Sequence, residues 1–290
     1  MILAILNKIT INSPAKVNLF LELLHKREDG YWEIKTVLQE IDLYDEVYLR
    51  ERKDGKVRVV CSDPSIEEEK NLAYRAAKLI QEKGRVFDKG VEVFIEKKIP
   101  IGRGLGGASS NAAAVLKGLK ELWSLNLTQQ ELATLGAQLG MDIPFFIYGG
   151  TCLGTGRGET ITPLPDFAGF PILLLWPEFS VSTPEVYRNA SLSLTKKRKC
   201  ATLLLKSLRS KDLDGVEKSL FNRLEEVALE IYPSLSQTKE KITSLNIGNS
   251  IMTGSGSAFF VFLPDAKDKE ESIVQELRNF EGGYYVGKTS

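Results

Sequence analysis

The apolar positions of the first hundred residues recur in short runs with the spacing of strands more often than of helices. Ile9 to Ile11 and Val17 to Leu24 read as extended segments, the second alternating apolar and polar residues in places. Glu28-Asp-Gly30 is a turn signal ahead of a further extended run, Tyr31 to Leu38. Val47 to Leu49 and Val57 to Val60 are short strand candidates, the latter preceded by the hairpin turn Lys53-Asp-Gly55. The period then changes, because Leu72, Ala76, Leu79 and Ile80 share one face of a helix that begins near Asn71. Val91 to Ile95 returns to strand, and Ala112 to Trp123 predicts the next helix. Thr128 and Glu131 form a capping-box pair ahead of Leu132, Leu135 and Leu139, with Gly140 placed to end that helix.

The pattern restarts around Pro163 to Pro171 with a buried-strand run, Ile172 to Leu175. Helical spacing covers Ala201 to Leu208, Val216 to Leu229 and Leu235 to Leu245. Ile251 to Phe262 reads as two strands around a Gly/Ser turn; Glu270 to Phe280 and Gly283 to Gly287 supply a last helix and strand. With 290 residues, two domains are expected, 1–160 and 161–290.

Composition narrows the function classes. The chain is 43% hydrophobic and 26% charged, as a soluble globular protein is. Lys+Arg and Asp+Glu are both 38, so no global basic field favours nucleic acid, and Lys196-Lys-Arg-Lys199 reads as a solvated loop. Cys61, Cys152 and Cys200 are scattered, which argues against a disulfide framework or a zinc site and for a reducing, cytoplasmic location. Met1 to Leu6 reads as an N-terminal strand, too short for a signal core, and no run reaches the roughly twenty apolar residues of a membrane span. The only histidine, His25, lies in a turn-like polar stretch, which removes triads and multi-histidine metal sites.

What remains is local chemistry. Between a strand and a helix stand Pro100, Ile101, Gly102, Arg103, Gly104, Leu105, Gly106, Gly107, Ala108, Ser109, Ser110 and Asn111. Glycine lets backbone N–H groups approach an anion, and a helix start adds unpaired donors and partial positive charge. Such a loop predicts a phosphate cradle. It contains G-x-G-x-x-G at Gly102, Gly104 and Gly107, but the acid that a dinucleotide fold needs about twenty residues on is missing; Glu121 lies inside the helix. It also lacks the G-K-[ST] of a Walker A loop. Asp142 follows a helix C-terminus, where the macrodipole disfavours a carboxylate, and Lys16 enters an apolar strand. Either alone is ordinary; as a pair they become candidate chemistry.

Pro14-Ala-Lys-Val-Asn18, the glycine loop, Leu139-Gly-Met-Asp-Ile-Pro144 and Thr253-Gly-Ser-Gly-Ser257 resemble, in order and spacing, the GHMP small-molecule kinases. Ser13 to Leu21, Asp29-Gly-Tyr31, Glu69 to Ala73 and Gly156-Arg-Gly-Glu159 look most like the branch that phosphorylates a cytidylylated methylerythritol in non-mevalonate isoprenoid biosynthesis. The resemblance implies an α+β fold with an N-terminal half like ribosomal protein S5 domain 2, a smaller α+β second half and a site between them. It implies Lys16 and Asp142 as catalytic residues, ATP phosphates on residues 100–110, and Asn71 and Lys97 on the adenosine side. Asn18, Tyr31, Trp32, Asn111, Thr183, Tyr187, Thr253 and Ser255 would hold the acceptor, a cytidine diphosphate-linked alcohol. Mg²⁺ would bridge the ATP phosphates without dedicated protein ligands, Ser110 being the candidate side chain. The partners are small molecules only, with no nucleic acid or membrane, and the chain is a monomer or homodimer.

One position departs from the pattern. The family reads Gly-Tyr-His where this chain has Gly30-Tyr31-Trp32, and that histidine helps recognise cytosine; an indole offers only a donor. Tyr31 and Tyr187 remain as the two aromatics that would sandwich the base. A family kinase for homoserine, mevalonate or a sugar, and a non-catalytic nucleotide-binding relative, stay open as alternatives.

Overall fold

The computed structural model of the chain describes residues 7–190, 199–263, 275, 277 and 280–290. The strand expected at Met1 to Leu6, most of the helix expected at Glu270 to Phe280, and residues 196–198 of the basic cluster lie outside the described residues.

Two long antiparallel strands, β1 (Lys8–Lys26) and β2 (Trp32–Arg52), replace the separate short strands that the pattern suggested. Their pairing slips between Pro14/Ala15, Asn18/Phe20 and Leu23/His25. The slips at Asn18/Phe20 and Leu23/His25 each move the alternation by one residue and that at Pro14/Ala15 inserts two residues of β2, so a continuous strand reads as interrupted runs. The slips also let one strand carry Ser13, Lys16 and Asn18 among buried apolar neighbours. β3 (Val57–Cys61) connects through helix α1 (Leu72–Gly84) to β4 (Gly90–Glu96), which lies parallel to β3 and antiparallel to β2.

Helices α2 (Gly107–Leu122), α3 (Gln129–Ala137) and α4 (Ile143–Tyr148) follow; β5 (Thr151–Thr155) then pairs with β2, and β6 (Thr160–Pro163) pairs with β5. The capping box of Thr128 and Glu131 opens α3 as expected. Gly140 does not end that helix: the C-cap is Gln138, in right-handed helical geometry. α1 to α4 bury Ala76, Ile80, Val115, Leu119 and Phe145 with Val47, Val93 and Ile95 of the sheet, forming one core.

The second half contains β7 (Pro171–Pro177), α5 (Thr183–Asn189), α6 (Thr202–Ser210), α7 (Leu213–Ser219), β8 (Phe221–Asn222), α8 (Arg223–Ile231) and α9 (Pro233–Ser244). β9 (Ile251–Met252), β10 (Phe259–Phe262) and β11 (Gly282–Lys288) join β7 in an antiparallel sheet of order β11-β7-β10-β9. The helix expected over Val216 to Leu229 is broken at β8. Asn222 adopts extended backbone there, caps α8 by accepting the Leu224 N–H, and donates to the carbonyls of Met252 and Gly254 at 2.7 and 2.8 Å.

β8 pairs in parallel with Phe20 and Leu21, so the first sheet has order β3-β4-β2-β1-β8 and draws strands from both halves of the chain. Two further cores do the same. Ala15, Val17 and Leu19 pack with Phe260 and Phe262, while Leu21, Leu23 and Trp32 pack with Leu173 and Phe259. The middle of β1 is thereby buried from both sides and points its polar residues at the junction.

Candidate active site

The glycine loop is a run of unsatisfied donors. Among the described residues, the backbone N–H groups of residues 101–109 find no protein acceptor; the first intrahelical bond of α2 runs from the Ser110 N–H to the Gly106 carbonyl. The helix begins earlier than the residue types suggest, at Gly107 instead of Ala112, because Gly106 caps it in the left-handed conformation (φ 75°). Ser109, Ser110 and Asn111 are therefore helical. Glycine is required at 104 and 106: a Cβ on Gly104 would lie 2.3 Å from the Thr253 carbonyl oxygen, and one on Gly106 2.8 Å from the Phe146 ring. The loop is held from outside by its carbonyls, with Leu105 accepting from the Lys16 N–H at 3.0 Å and Arg103 from the Ala258 N–H at 3.2 Å. Carbonyls tied back and N–H groups left free make an anion-binding surface.

Lys16 and Asp142 meet beside that surface. Lys16 Nζ lies 3.9 Å from Asp142 Oδ2, the lysine side chain almost wholly buried and the carboxylate 41% exposed. Nζ also donates to Asn18 Oδ1 at 2.6 Å, and Asn18 is held by its own amide to Thr36 Oγ1 at 2.9 Å and by its N–H to Thr253 Oγ1 at 3.1 Å. Burial pushes the Lys16 ammonium below its ordinary range, and the Asp142 charge opposes that shift. Asp142 stands at the start of α4 and makes no capping bond, so its carboxylate is free to face the lysine. The unfavourable helix C-terminus expected for it is not its environment: α3 has already ended at Ala137.

Both groups line a cavity of about 850 Å³ that also takes in Gly104, Gly106 and Ser109. Its far end is aromatic and cationic. Tyr31 is 56% exposed, and the Arg157 guanidinium lies over its ring at 4.9 Å. Tyr187 faces the same space from α5; burial, and then the Asp142 charge, raise its phenol well above the usual range. Trp32 lines the wall with its N–H donated to the Tyr187 carbonyl at 3.2 Å. Thr183 and Ser255 share a 2.6 Å hydrogen bond where α5 meets the Thr253–Ser257 turn. Lys26, Arg157 and Arg188 line this end, and Asp142 is the only carboxylate among the described lining residues.

Comparisons with known proteins give the family. The family descriptions "GHMP kinases N terminal domain" and "GHMP kinases C terminal" match residues 71–150 and 204–281. A 4-diphosphocytidyl-2-C-methyl-D-erythritol kinase of Shouchella clausii (strain KSM-K16) is 39% identical over 274 residues, 94% of this chain and 91% of that one. The chain belongs to the GHMP kinase family. A kinase of the same name from Thermosynechococcus vestitus is 41% identical over 283 residues, 92% of this chain and 90% of that one. A crystal structure of 4-(cytidine 5'-diphospho)-2C-methyl-D-erythritol kinase superposes with a TM-score of 0.81 at 32% identity, covering 97% of this chain and 99% of that chain.

Not every expected residue of this GHMP kinase reaches the cavity. Lys16, Asn18, Tyr31, Trp32, Gly104, Gly106, Ser109, Asp142, Thr183, Tyr187 and Ser255 do. Thr253 is fully buried behind the wall, bonded to Asn18. Asn111, expected on the acceptor, is turned inward and donates to Ser13 and Asp45. Ser110, the candidate side chain for Mg²⁺, is also buried and accepts from Ser13 at 2.7 Å, so the hydroxyl on the cavity is that of Ser109. Asn71 caps α1 and Lys97 is engaged by Asp45 and Asn111, both away from the cavity wall. Thr36, Lys26, Arg157 and Arg188 were not singled out by sequence reasoning; only the Gly156-Arg-Gly-Glu159 motif had touched one of them.

Among the described residues, no group of three or more His, Cys, Asp or Glu side chains could cage a metal ion. A Mg²⁺ held chiefly by phosphate oxygens and waters needs no such cage.

Proposed function

We propose that this GHMP kinase transfers the γ-phosphoryl group of ATP to a hydroxyl of 4-diphosphocytidyl-2-C-methyl-D-erythritol, with Asp142 and Lys16 as the catalytic pair. The observation that carries the reading is the run of free N–H donors at residues 101–109 opening onto the Lys16–Asp142 pair within one cavity. The donors cradle the triphosphate, and α2 adds its positive N-terminal end. Asp142 orients the acceptor hydroxyl and accepts its proton as the new O–P bond forms and the bond between the γ-phosphorus and the β–γ bridging oxygen breaks, leaving ADP. Lys16, aimed by Asn18, faces the Asp142 carboxylate and neutralises charge on the transferred group. Positioning and charge stabilisation supply most of the rate in such chemistry. When bound, Mg²⁺ would neutralise further charge on the phosphates, and Ser109 is the loop hydroxyl on the cavity that would help to hold it.

On the acceptor side the base stacks between Tyr31 and Tyr187, and Lys26, Arg157 and Arg188 face the diphosphate. Residues 1–160 then carry the nucleotide loop and the catalytic pair, and residues 161–290 close the acceptor side through Thr183, Tyr187 and Ser255. Support for the acceptor comes from the near full-length likeness to kinases of that name. The decisive experiment is ADP release with and without the cytidylylated acceptor, beside mevalonate and homoserine. Turnover dependent on the cytidylylated alcohol is expected; turnover on mevalonate or homoserine alone would replace the acceptor, and none on any would remove the activity.

A further inference from the structure

The phosphate loop owes its shape to a residue that touches none of the loop's free donors. Asp45 is fully buried near the middle of β2, and its two carboxylate oxygens serve different limbs of the loop. Oδ1 accepts the backbone N–H groups of Lys98 and Ile99 at 2.7 and 2.8 Å, the residues that lead into Pro100. Oδ2 accepts from the Lys97 ammonium and from the Asn111 amide, the latter at 2.9 Å, on the helical limb beyond the glycines. Asn111 and Lys97 are themselves joined at 3.2 Å, and Asn111 donates to Ser13, which donates to Ser110. The limbs touch where they are pinned: a Cβ on Gly107 would lie 3.1 Å from Ile99 Cγ2 and 3.2 Å from Lys97 Nζ. The register slip at Pro14/Ala15 leaves Ser13 directly opposite Asp45, so the same bulge that aims Lys16 also seats this network.

We propose that Asp45 is a positioning residue for ATP: its carboxylate clamps the entry and the helical limb of the loop, so that the donors of residues 101–109 are arrayed before the nucleotide arrives. A loop with both ends fixed loses little conformational freedom on binding, whereas a loop with one end free must be ordered at the expense of affinity. The clamp also assigns Lys97 and Asn111. Their side chains bond Asp45, Ser13 and each other, so those side chains act on ATP through the loop.

The inference rests on ATP as the loop's ligand, which turnover by the unaltered chain tests separately. The clamp is tested by ratios between variants and that chain. Asp45→Asn keeps an oxygen for Lys98 and Ile99 but turns an N–H₂ group toward the Lys97 and Asn111 donors. It should raise KM for ATP about tenfold or more, with KM for the acceptor within about twofold and kcat at saturating ATP largely retained. Exchanging the pair, Asp45→Asn with Asn111→Asp, restores a carboxylate facing Lys97 and an amide facing its partner, and should return KM for ATP to within about threefold of the parent. Asn111→Ala removes the helical limb's bond to Asp45, together with its bonds to Ser13 and Lys97, and should raise KM for ATP severalfold without moving that of the acceptor; it serves equally where Asp45→Asn does not fold. A merely structural role would lower the melting temperature and the active fraction without splitting the two KM values. That result, a rise in acceptor KM for Asn111→Ala, or an exchange variant that regains stability but keeps the raised KM for ATP, would overturn the proposal.

Discussion

On the proposed nucleotide side of the cavity the polar groups are main-chain N–H donors from one unbroken run, residues 101–109; on the proposed acceptor side they are side chains gathered from β1, β2, the β5–β6 turn and α5. The difference matters for what each side can discriminate. Backbone donors recognise charge and spacing, which every triphosphate presents, and they withstand substitution except where a glycine allows close approach. Side chains recognise an individual molecule, but each can be exchanged without disturbing the main chain. Asp142 and Lys16 stand where the two sides meet and belong to neither.

The largest effect should come from that meeting point. Asp142→Asn keeps the size of the side chain and removes the proton acceptor; kcat should fall by about 10²–10⁴-fold. KM for ATP should stay within a few fold, because the loop's donors are untouched. A variant that kept near-full turnover would show that the carboxylate is not the base. Next in size is a change confined to the backbone side. Gly104→Ala puts a side chain in the left-handed region at about 1–2 kcal/mol and drives its Cβ against the Thr253 carbonyl. The loop must shift, so KM for ATP should rise about tenfold or more, with the acceptor KM little changed. Equal rises in both would mean that the two sides are one mechanical unit.

A pH series separates the chemistry from the fold. Lys16 has its pKa lowered from about 10.5 by burial, against the opposing pull of Asp142. Between the lowered value and that of the unfolded chain, the unfolded state binds the extra proton, so this group's contribution to stability rises with pH there. Activity moves the other way, because the ammonium is lost in the same window. The basic limb of kcat/KM, which reports the free enzyme, should therefore fall below pH 10.5. The parent should gain stability relative to Lys16→Met as pH rises through that window. A basic limb at or above the ordinary lysine value would show that Lys16 is not the group titrating.

How much of this was legible in the sequence follows the same division. The glycine loop and the family motifs are contiguous, so their residues announce themselves and the fold class came with them. The start of α2 did not, because Ser109, Ser110 and Asn111 favour caps and turns in isolation; in the folded chain Ser13 and Asp45 bond Ser110 and Asn111, and the helix runs through them. The long strands were hidden by bulges that break the alternation. Asp45 sits in Leu43-Tyr-Asp-Glu46, indistinguishable by pattern from a surface acid, and only the pairing of β2 with β1 and β4 carries it to the loop. Lys26, Arg157 and Arg188 converge from distant segments, and of the three only Arg157 lies in a motif, Gly156-Arg-Gly-Glu159, that the sequence displays.

Trp32 is where the acceptor side can be probed most finely. Its ring is nearly buried among Leu23, Ile34 and Leu175, and its one donor is committed to the Tyr187 carbonyl. It therefore has no N–H left for a base, and its effect on the acceptor must come through the width of the slot between Tyr31 and Tyr187. Trp32→Phe deletes the donor and part of the ring; the orphaned carbonyl should cost about 1 kcal/mol of stability. The acceptor KM should rise severalfold as α5 loosens, with KM for ATP and kcat unchanged, since nothing in the loop or the catalytic pair bonds to this side chain. Trp32→His offers a smaller ring with its own polar edge. If it lowers the acceptor KM below that of the parent, the slot tolerates a base-reading residue here and tryptophan has exchanged recognition for rigidity. If it behaves like Trp32→Phe, width alone governs this end of the cavity.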